Sequence, residues 1–475
     1  MTDLHELTAL EQAAAVRRRE VSPSELVEHH LRRVDEMQAD LGAFVTITAE
    51  RALEAARAAD RLVSRAPDDA ALPPLLGVPT AIKDLTSTAG VRTTFGSVSY
   101  AQYLPSVDDD VVRLLADAGT ISLGKTSVPE FGLPCYTEPT GLPPAVTPWD
   151  TSRMAGGSSG GAAAAVAGGL VPFAQGTDGG GSIRSPAAAC AVVGLKPSRG
   201  RVSRGPLGGD VTLLSGSGPL ARTVADAAAL LDAMAVPCPA EPVIAPPLPS
   251  GQSFLEHARR EPGRLRIGRY AEPVLPGVEL AVECRRAWAD AATLLGELGH
   301  EVVDTTSPFD PDTVLAPFEV IWAVGAHSVP VPPAAQDTLQ PFTRWLRERG
   351  SAVSGPEFLQ AIAQVQVAGR AAVRAHAEFD VVLTPALAQL PPPIGWFSSA
   401  APAENFERQK RYTPYTAIYN VTGQPAVSLP LHWTGDGFPV GVQLVGRPAG
   451  EPTLLALAGQ LERARPWAHR RPPTW

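Results

Sequence analysis

Through the first 65 or so residues apolar positions recur at three- and four-residue spacing, as in Leu26, Val27, Leu31 and Val34, with charged residues between them. That period is one face of a helix. Ser22-Pro23-Ser24-Glu25 supplies the start signal: a serine cap, a proline at the first helical position and a glutamate placed to bond back to the cap. From Leu75 the pattern changes. Short apolar runs, GVPTAIKDL and TISLGKT, alternate with the helical stretch VVRLLADAG, the rhythm of strands joined by helices. An alanine-rich helix is expected from Gly161, followed by an apolar return, LVPFAQ. Farther on, RLRIGRY and HEVVDTT read as strands around a helix from Val278 to Leu298, and EFDVVLTPA and GFPVGVQLVG as two more. The fold class is α/β.

The stretch VPCPAEPVIAPPLPS, from Val236, is proline-rich and reads as a surface connection. Strand patterns on both sides of it favour one domain over residues 1–475. Its expected parts are a helical segment (1–65), a core (75–230), the connection (236–265) and a C-terminal half (266–475) that completes the sheet.

Composition narrows the function classes. The chain has 475 residues, 44% of them hydrophobic, with 40 basic and 49 acidic side chains for a net charge of −9. No basic block is present, so a nucleic-acid partner is not expected. No apolar run is long enough to span a bilayer, and the polar start MTDLHELTAL does not read as a secretion signal, so a cytoplasmic protein is expected. Cys135, Cys190, Cys238 and Cys284 are too widely spaced for a zinc or CxxC motif and read as reduced, structural residues. Only Lys83, Lys125, Lys196 and Lys410 are lysines among the basic residues. Lysine, unlike arginine, can lose its proton in a buried site.

Three readings compete for the glycine-rich region. Gly119–Thr126 fits GxxxxGK[ST], but Ile121 and Leu123 put a strand where the phosphate loop should be, and Pro129 interrupts the helix that should follow. Gly156-Gly157-Ser158-Ser159-Gly160 fits GxSxG, with His257, His300, His327, His376, His432 and His469 later in the chain, none of them in a distinctive loop. In the third reading a second turn, Gly176-Thr177-Asp178-Gly179-Gly180-Gly181-Ser182, follows the alanine helix and its return strand. Glycines before a helix expose amide groups that suit a developing oxyanion. Ser182 is then a candidate nucleophile. Lys83, in an apolar strand, is either a base whose pKa burial lowers or a strand-end lysine paired with Asp84.

Taken together, GVPTAIKDL, LGKTSVPEFG, GGSSGGAAAAVAGGL, GTDGGGSIRSPAAACAVVGLKPSRGRVS and YNVTGQPAVSLPLHWTGDGFPVGVQLVG resemble the motifs of the amidase signature family, in that family's order. The resemblance implies a three-layer α/β/α sandwich with a central mixed sheet. It also implies a Ser–cis-Ser–Lys triad: Ser182 as nucleophile, Ser158 as bridging serine and Lys83 as base. The amides of Gly179, Gly180, Gly181 and Ser182 would form the oxyanion hole, with Ser159, Asp178 and Arg184 in support. Lys125 and Lys196 would be structural.

The implied activity is hydrolysis of a carboxylic amide through a serine acyl-enzyme, with no metal or organic cofactor. The partner is a small-molecule amide, and a homodimer is a candidate assembly. The overall layout resembles the bacterial amidase branch that includes 6-aminohexanoate cyclic dimer hydrolases, and the alternative is the A-type component of a glutamyl-tRNA amidotransferase, working inside a complex. Candidate substrate contacts are Tyr136, Thr137, Trp322, Tyr415, Tyr419 and Asn420. Thr147-Pro148-Trp149 departs from the family's usual Asn-Pro-Trp, close to the expected channel wall.

Overall fold

The computed structural model describes residues 3–67 and 71–475. Eight strands form a mixed sheet in the order Glu301–Asp304, Arg266–Arg269, Val381–Pro385, Pro439–Gly446, Ala426–Trp433, Val193–Lys196, Gly216–Ala221 and Phe173–Asp178. The first three run parallel and the remaining neighbours antiparallel. Strands from before and after the proline-rich connection therefore share one sheet. Val381–Pro385 and Pro439–Gly446 are buried at every position, as expected of strands covered on both faces. The helices Arg184–Cys190, Val224–Met234, Val282–Glu297 and Glu451–Ala464 pack on this sheet and supply the cover.

A second, three-stranded sheet holds Pro79–Lys83 beside Ile121–Thr126, with Phe44–Ile47 on the far edge. The strand Phe44–Ile47 corrects the expectation of an all-helical start. The helix Pro23–Leu41, opened by the expected Ser22–Glu25 capping box, stops at Gly42 in a left-handed conformation, and the β-branched run after it pairs with Ile121–Thr126. The strand Ile121–Thr126, lying where the loop should be, also removes the phosphate-loop reading.

The small sheet leans on the edge strand of the large one: the Lys83 amide donates to Gln175 Oε1 (3.0 Å). The C-terminal ends of Pro79–Lys83 and Phe173–Asp178 meet there. Between the sheets runs Gly160–Ala167, a helix buried at every residue, which its alanines and glycines make narrow enough to fit. Among the described residues all four cysteines are free, and no helix is long and apolar enough to cross a membrane.

Candidate active site

Lys83 ends its strand fully buried, and its Nζ donates to Ser158 Oγ (2.8 Å) and to the carbonyl of Thr177 (3.1 Å). Ser158, itself buried, lies just before the alanine helix, and the Gly157–Ser158 peptide is cis. A Cβ at Gly157 would come within 2.6 Å of the Tyr136 amide nitrogen, so glycine is the residue that fits. Ser182 occupies the turn between Phe173–Asp178 and the helix Arg184–Cys190. Its carbonyl accepts from the Ser159 amide (3.1 Å), which ties the two serine loops together. Its hydroxyl makes no hydrogen bond among the described residues, and the residue, 9% exposed, lines a cavity.

The turn that carries Ser182 is built around one buried ion pair. Asp178 accepts from the Gly181 amide (2.7 Å), the Ile183 amide (3.1 Å) and both Nε and Nη2 of Arg184 (2.9 Å each). Arg184 also donates to the Thr416 carbonyl (2.9 Å), Gln443 Oε1 (2.7 Å) and Asn420 Oδ1 (2.6 Å), so the turn is clamped to the C-terminal half. Burial alone would raise the Asp178 carboxyl, but the Arg184 charge and hydrogen bonds, helped by Lys196, hold it well below the usual range. Removing one partner of such a pair strands the other charge, at a cost of about 3–5 kcal/mol. Arg184→Ala is accordingly expected to lower stability by that amount, read as a lower urea midpoint with an unchanged slope.

Because the Gly181 amide bonds to Asp178, the amides of Gly179, Gly180 and Ser182 are the ones without a described partner, and Gly180 and Ser182 line the cavity. Ser159 donates to the Thr177 carbonyl (3.2 Å) and accepts from the Thr177 amide (3.4 Å), fixing the strand end that also holds Lys83.

The buried lysines differ in surroundings. Burial pulls Lys83 down to about 7, opposed only by the charge of Asp178. Lys196 is also pulled to about 7 by burial and by Arg184, but its Nζ is occupied by the Pro197 carbonyl (2.9 Å). Lys125 is held at about 8, lowered by burial and supported by Asp84 3.6 Å away. Asp84 thus pairs with Lys125 rather than with Lys83. None of the six histidines weighed for a GxSxG reading lines the cavity; His300, for example, bonds to Gln460 and the Leu265 amide. Cys135 does line it, but burial pushes its thiol up, away from the reactive thiolate.

Apolar side chains form most of the cavity wall, among them Leu133, Val274, Val314, Phe318, Trp322, Phe406 and Ile418. Of the expected substrate contacts, Trp322 lies on this wall and the others do not. Tyr136 is stacked on Phe397 (5.0 Å) with its hydroxyl accepting from Asn405 (2.8 Å). Thr137 donates to the Gly156 carbonyl (2.9 Å). Tyr415 donates to the Ala271 carbonyl (2.6 Å), Tyr419 bonds to Tyr270 (2.8 Å), and Asn420 belongs to the Asp178–Arg184 clamp. In each case a fold contact takes the polar group that substrate would have used. Thr416, which helps close the clamp, carries no motif signal, and Gln443 lies inside the GFPVGVQLVG run, where only the packing reveals its bond to Arg184. Phe318 and Phe406 sit on helices, Pro311–Ser328 and Pro402–Tyr412, each opened by a proline and the first capped by Asp310, signals that mark a helix start but not the cavity it faces.

The amidase family model matches residues 25–455. The chain belongs to the amidase family. It is 37% identical to a putative amidase of Synechocystis sp. over 466 residues, covering 98% of this chain and 89% of that one. It is 34% identical to the 6-aminohexanoate-cyclic-dimer hydrolase of Paenarthrobacter ureafaciens, over 98% of this chain and 96% of the relative. The solved structure of a 6-aminohexanoate cyclic dimer hydrolase with substrate superposes with a TM-score of 0.91 at 31% identity, covering 99% of each chain. As an amidase the protein hydrolyses carboxylic amide C–N bonds, and a Ser–cis-Ser–Lys triad is characteristic of its family.

Proposed function

We propose that Ser182, Ser158 and Lys83 carry this hydrolysis as a proton relay. The observation that supports it most is the 2.8 Å bond between Lys83 Nζ and Ser158 Oγ, made by a buried lysine whose pKa is lowered to about 7. A neutral Nζ takes the Ser158 proton while Ser158 takes that of Ser182, whose oxygen bonds to the amide carbon. The amides of Gly179, Gly180 and Ser182 stabilise the oxyanion. Collapse breaks the C–N bond, and the amine leaves with the proton returned through Ser158. Water then hydrolyses the Ser182 ester by the same relay, freeing the carboxylate.

This reading sets the pH dependence. Lys83 acts only when neutral, and its neutral fraction grows with pH. The logarithm of kcat/KM is expected to rise with unit slope below pH 7 and level off above it. A profile flat from pH 5 to 9 on a substrate that does not itself titrate would contradict a lysine base.

The apolar wall favours a neutral amide with an alkyl or aryl flank. The cavity's one lysine, Lys410, is held by Glu319 and Glu407 (2.6 Å each), which leaves no free cation among the described lining residues for the α-carboxylate of glutamine. That weighs against a role in an amidotransferase complex, although the chain is 35% identical to the A-type component of the glutamyl-tRNA(Gln) amidotransferase of a Synechococcus strain. A single domain over 1–475 and a cytoplasmic location complete the proposal, supported by the shared sheet and by four unpaired cysteines. Hydrolysis of an amide panel by the purified protein, with ammonia and amine release measured separately, tests it. Activity confined to glutamine would overturn the apolar-flank reading.

A further inference from the structure

Several buried side-chain polar atoms lack a hydrogen-bond partner among the described residues, and one of them, Ser185 Oγ, belongs to a residue lining the catalytic cavity. Apart from the Ser182 hydroxyl, the other polar side chains on that wall are engaged. Gln409 Oε1 accepts from the Cys135 amide and its Nε2 donates to Asn405, Thr413 donates to the Gln409 carbonyl, Trp322 Nε1 donates to the Leu133 carbonyl, and Glu319 holds Lys410. Ser185 stands apart. It is 1% exposed, its amide is bonded to the Gly181 carbonyl (2.8 Å), and a Cβ at Gly181 would lie 3.0 Å from its Oγ. A buried hydroxyl without a partner is costly, and in a binding site such a group is completed by what binds there.

Position then restricts what can complete it. Ser185 follows Ser182 by three residues at a helix start, a spacing that puts side chains about 5–6 Å apart on one face. The carbon under attack stands about 3 Å from the nucleophilic oxygen, so an atom two bonds beyond that carbon reaches the neighbourhood of Ser185. On the leaving side of an ordinary amide that second atom is carbon or the N–H hydrogen, a donor that substrates with the same amine share and that therefore selects nothing among acyl groups. On the acyl side it is the substituent on the α-carbon, which can be oxygen or nitrogen.

Resting on the assignment of Ser182 as nucleophile, we infer that Ser185 is a specificity-determining residue whose hydroxyl hydrogen-bonds a neutral polar substituent, such as a hydroxyl, on the α-carbon of the acyl group. The preferred substrates are then amides of apolar acids that carry an α-hydroxyl. A protonated α-amine fits less well, because the cavity's carboxylate, Glu319, already pairs with Lys410.

The test compares the anilides of 2-hydroxy-3-phenylpropanoic acid and 3-phenylpropanoic acid, which differ by that oxygen alone. Wild type is expected to favour the hydroxylated anilide by about tenfold in kcat/KM, the scale of one buried hydrogen bond. Ser185→Ala should bring the ratio to about one. Ser185→Cys, which keeps the side-chain shape with only a weak hydrogen-bonding group, should do the same and covers the case in which alanine disturbs the turn. A wild-type ratio near one, or a ratio that survives both substitutions, would overturn the inference. Ser182→Ala, measured on the same pair, tests the nucleophile separately: undiminished hydrolysis there counts against the relay and not against the Ser185 ratio.

Discussion

Ser182→Ala is expected to lower amide turnover by a factor on the order of 10⁴ or more, the scale at which loss of a serine nucleophile leaves only binding and oxyanion stabilisation. Nothing nearby can replace it. Ser158 is buried and bonded to Lys83, Cys135 holds its proton, and Ser185 stands a helical turn away. The fold should survive, because the Ser182 hydroxyl has no described hydrogen bond to lose, whereas the turn is held by Asp178 and Arg184. Burst kinetics on an activated ester, with far-UV dichroism as the folding control, check this. A folded variant that retained more than about a hundredth of the activity would remove Ser182 from the mechanism.

Lys83 is expected to show the second largest effect. Lys83→Ala removes the acceptor for the Ser158 proton and should cost about 10²–10⁴ in kcat/KM, the range of a general base. Lys83→Arg is the sharper substitution. It keeps a cation of similar reach but cannot give up its proton at any working pH, so it should be as inactive as alanine. Both variants should also lose the inflection near pH 7 that the buried lysine gives the wild type. An active arginine variant would mean that positive charge, and not basicity, is what the site uses. Lys196, lowered to about 7 as well, serves as the internal comparison: its Nζ is directed at the Pro197 carbonyl, so its substitution should leave the inflection in place.

How much of this could be read from the chain depends on how local each signal is. Lys83 in an apolar strand, the two glycine-rich turns and the helix between them are local patterns. The strand Pro79–Lys83, the helix Gly160–Ala167 and the strand Phe173–Asp178 form where those patterns indicate. Residue pairings were legible only through the family resemblance, since Lys83 ends a strand, Ser158 lies in the loop before Gly160–Ala167, and no spacing rule predicts that they meet. The substrate wall was the least legible part. Tyr415 and Tyr419 carry the same aromatic signal as Trp322, yet tertiary partners at Ala271 and Tyr270 take their hydroxyls, while Trp322 faces the cavity. Phe44–Ile47 was missed for a related reason: four residues between two helices form a strand only because Ile121–Thr126 offers an edge.

The central claim is a covalent link between substrate and Ser182. Its most direct test is to trap that link by mixing the enzyme with an activated ester, quenching in acid and mapping the modified peptide by mass spectrometry. The account predicts one acyl group on the peptide that contains Ser182, absent from Ser182→Ala and formed far more slowly by Lys83→Ala. An acyl group carried by Ser158, Cys135 or Ser185 in the wild type, or amide hydrolysis proceeding with no acylated peptide in Ser182→Ala, would contradict it.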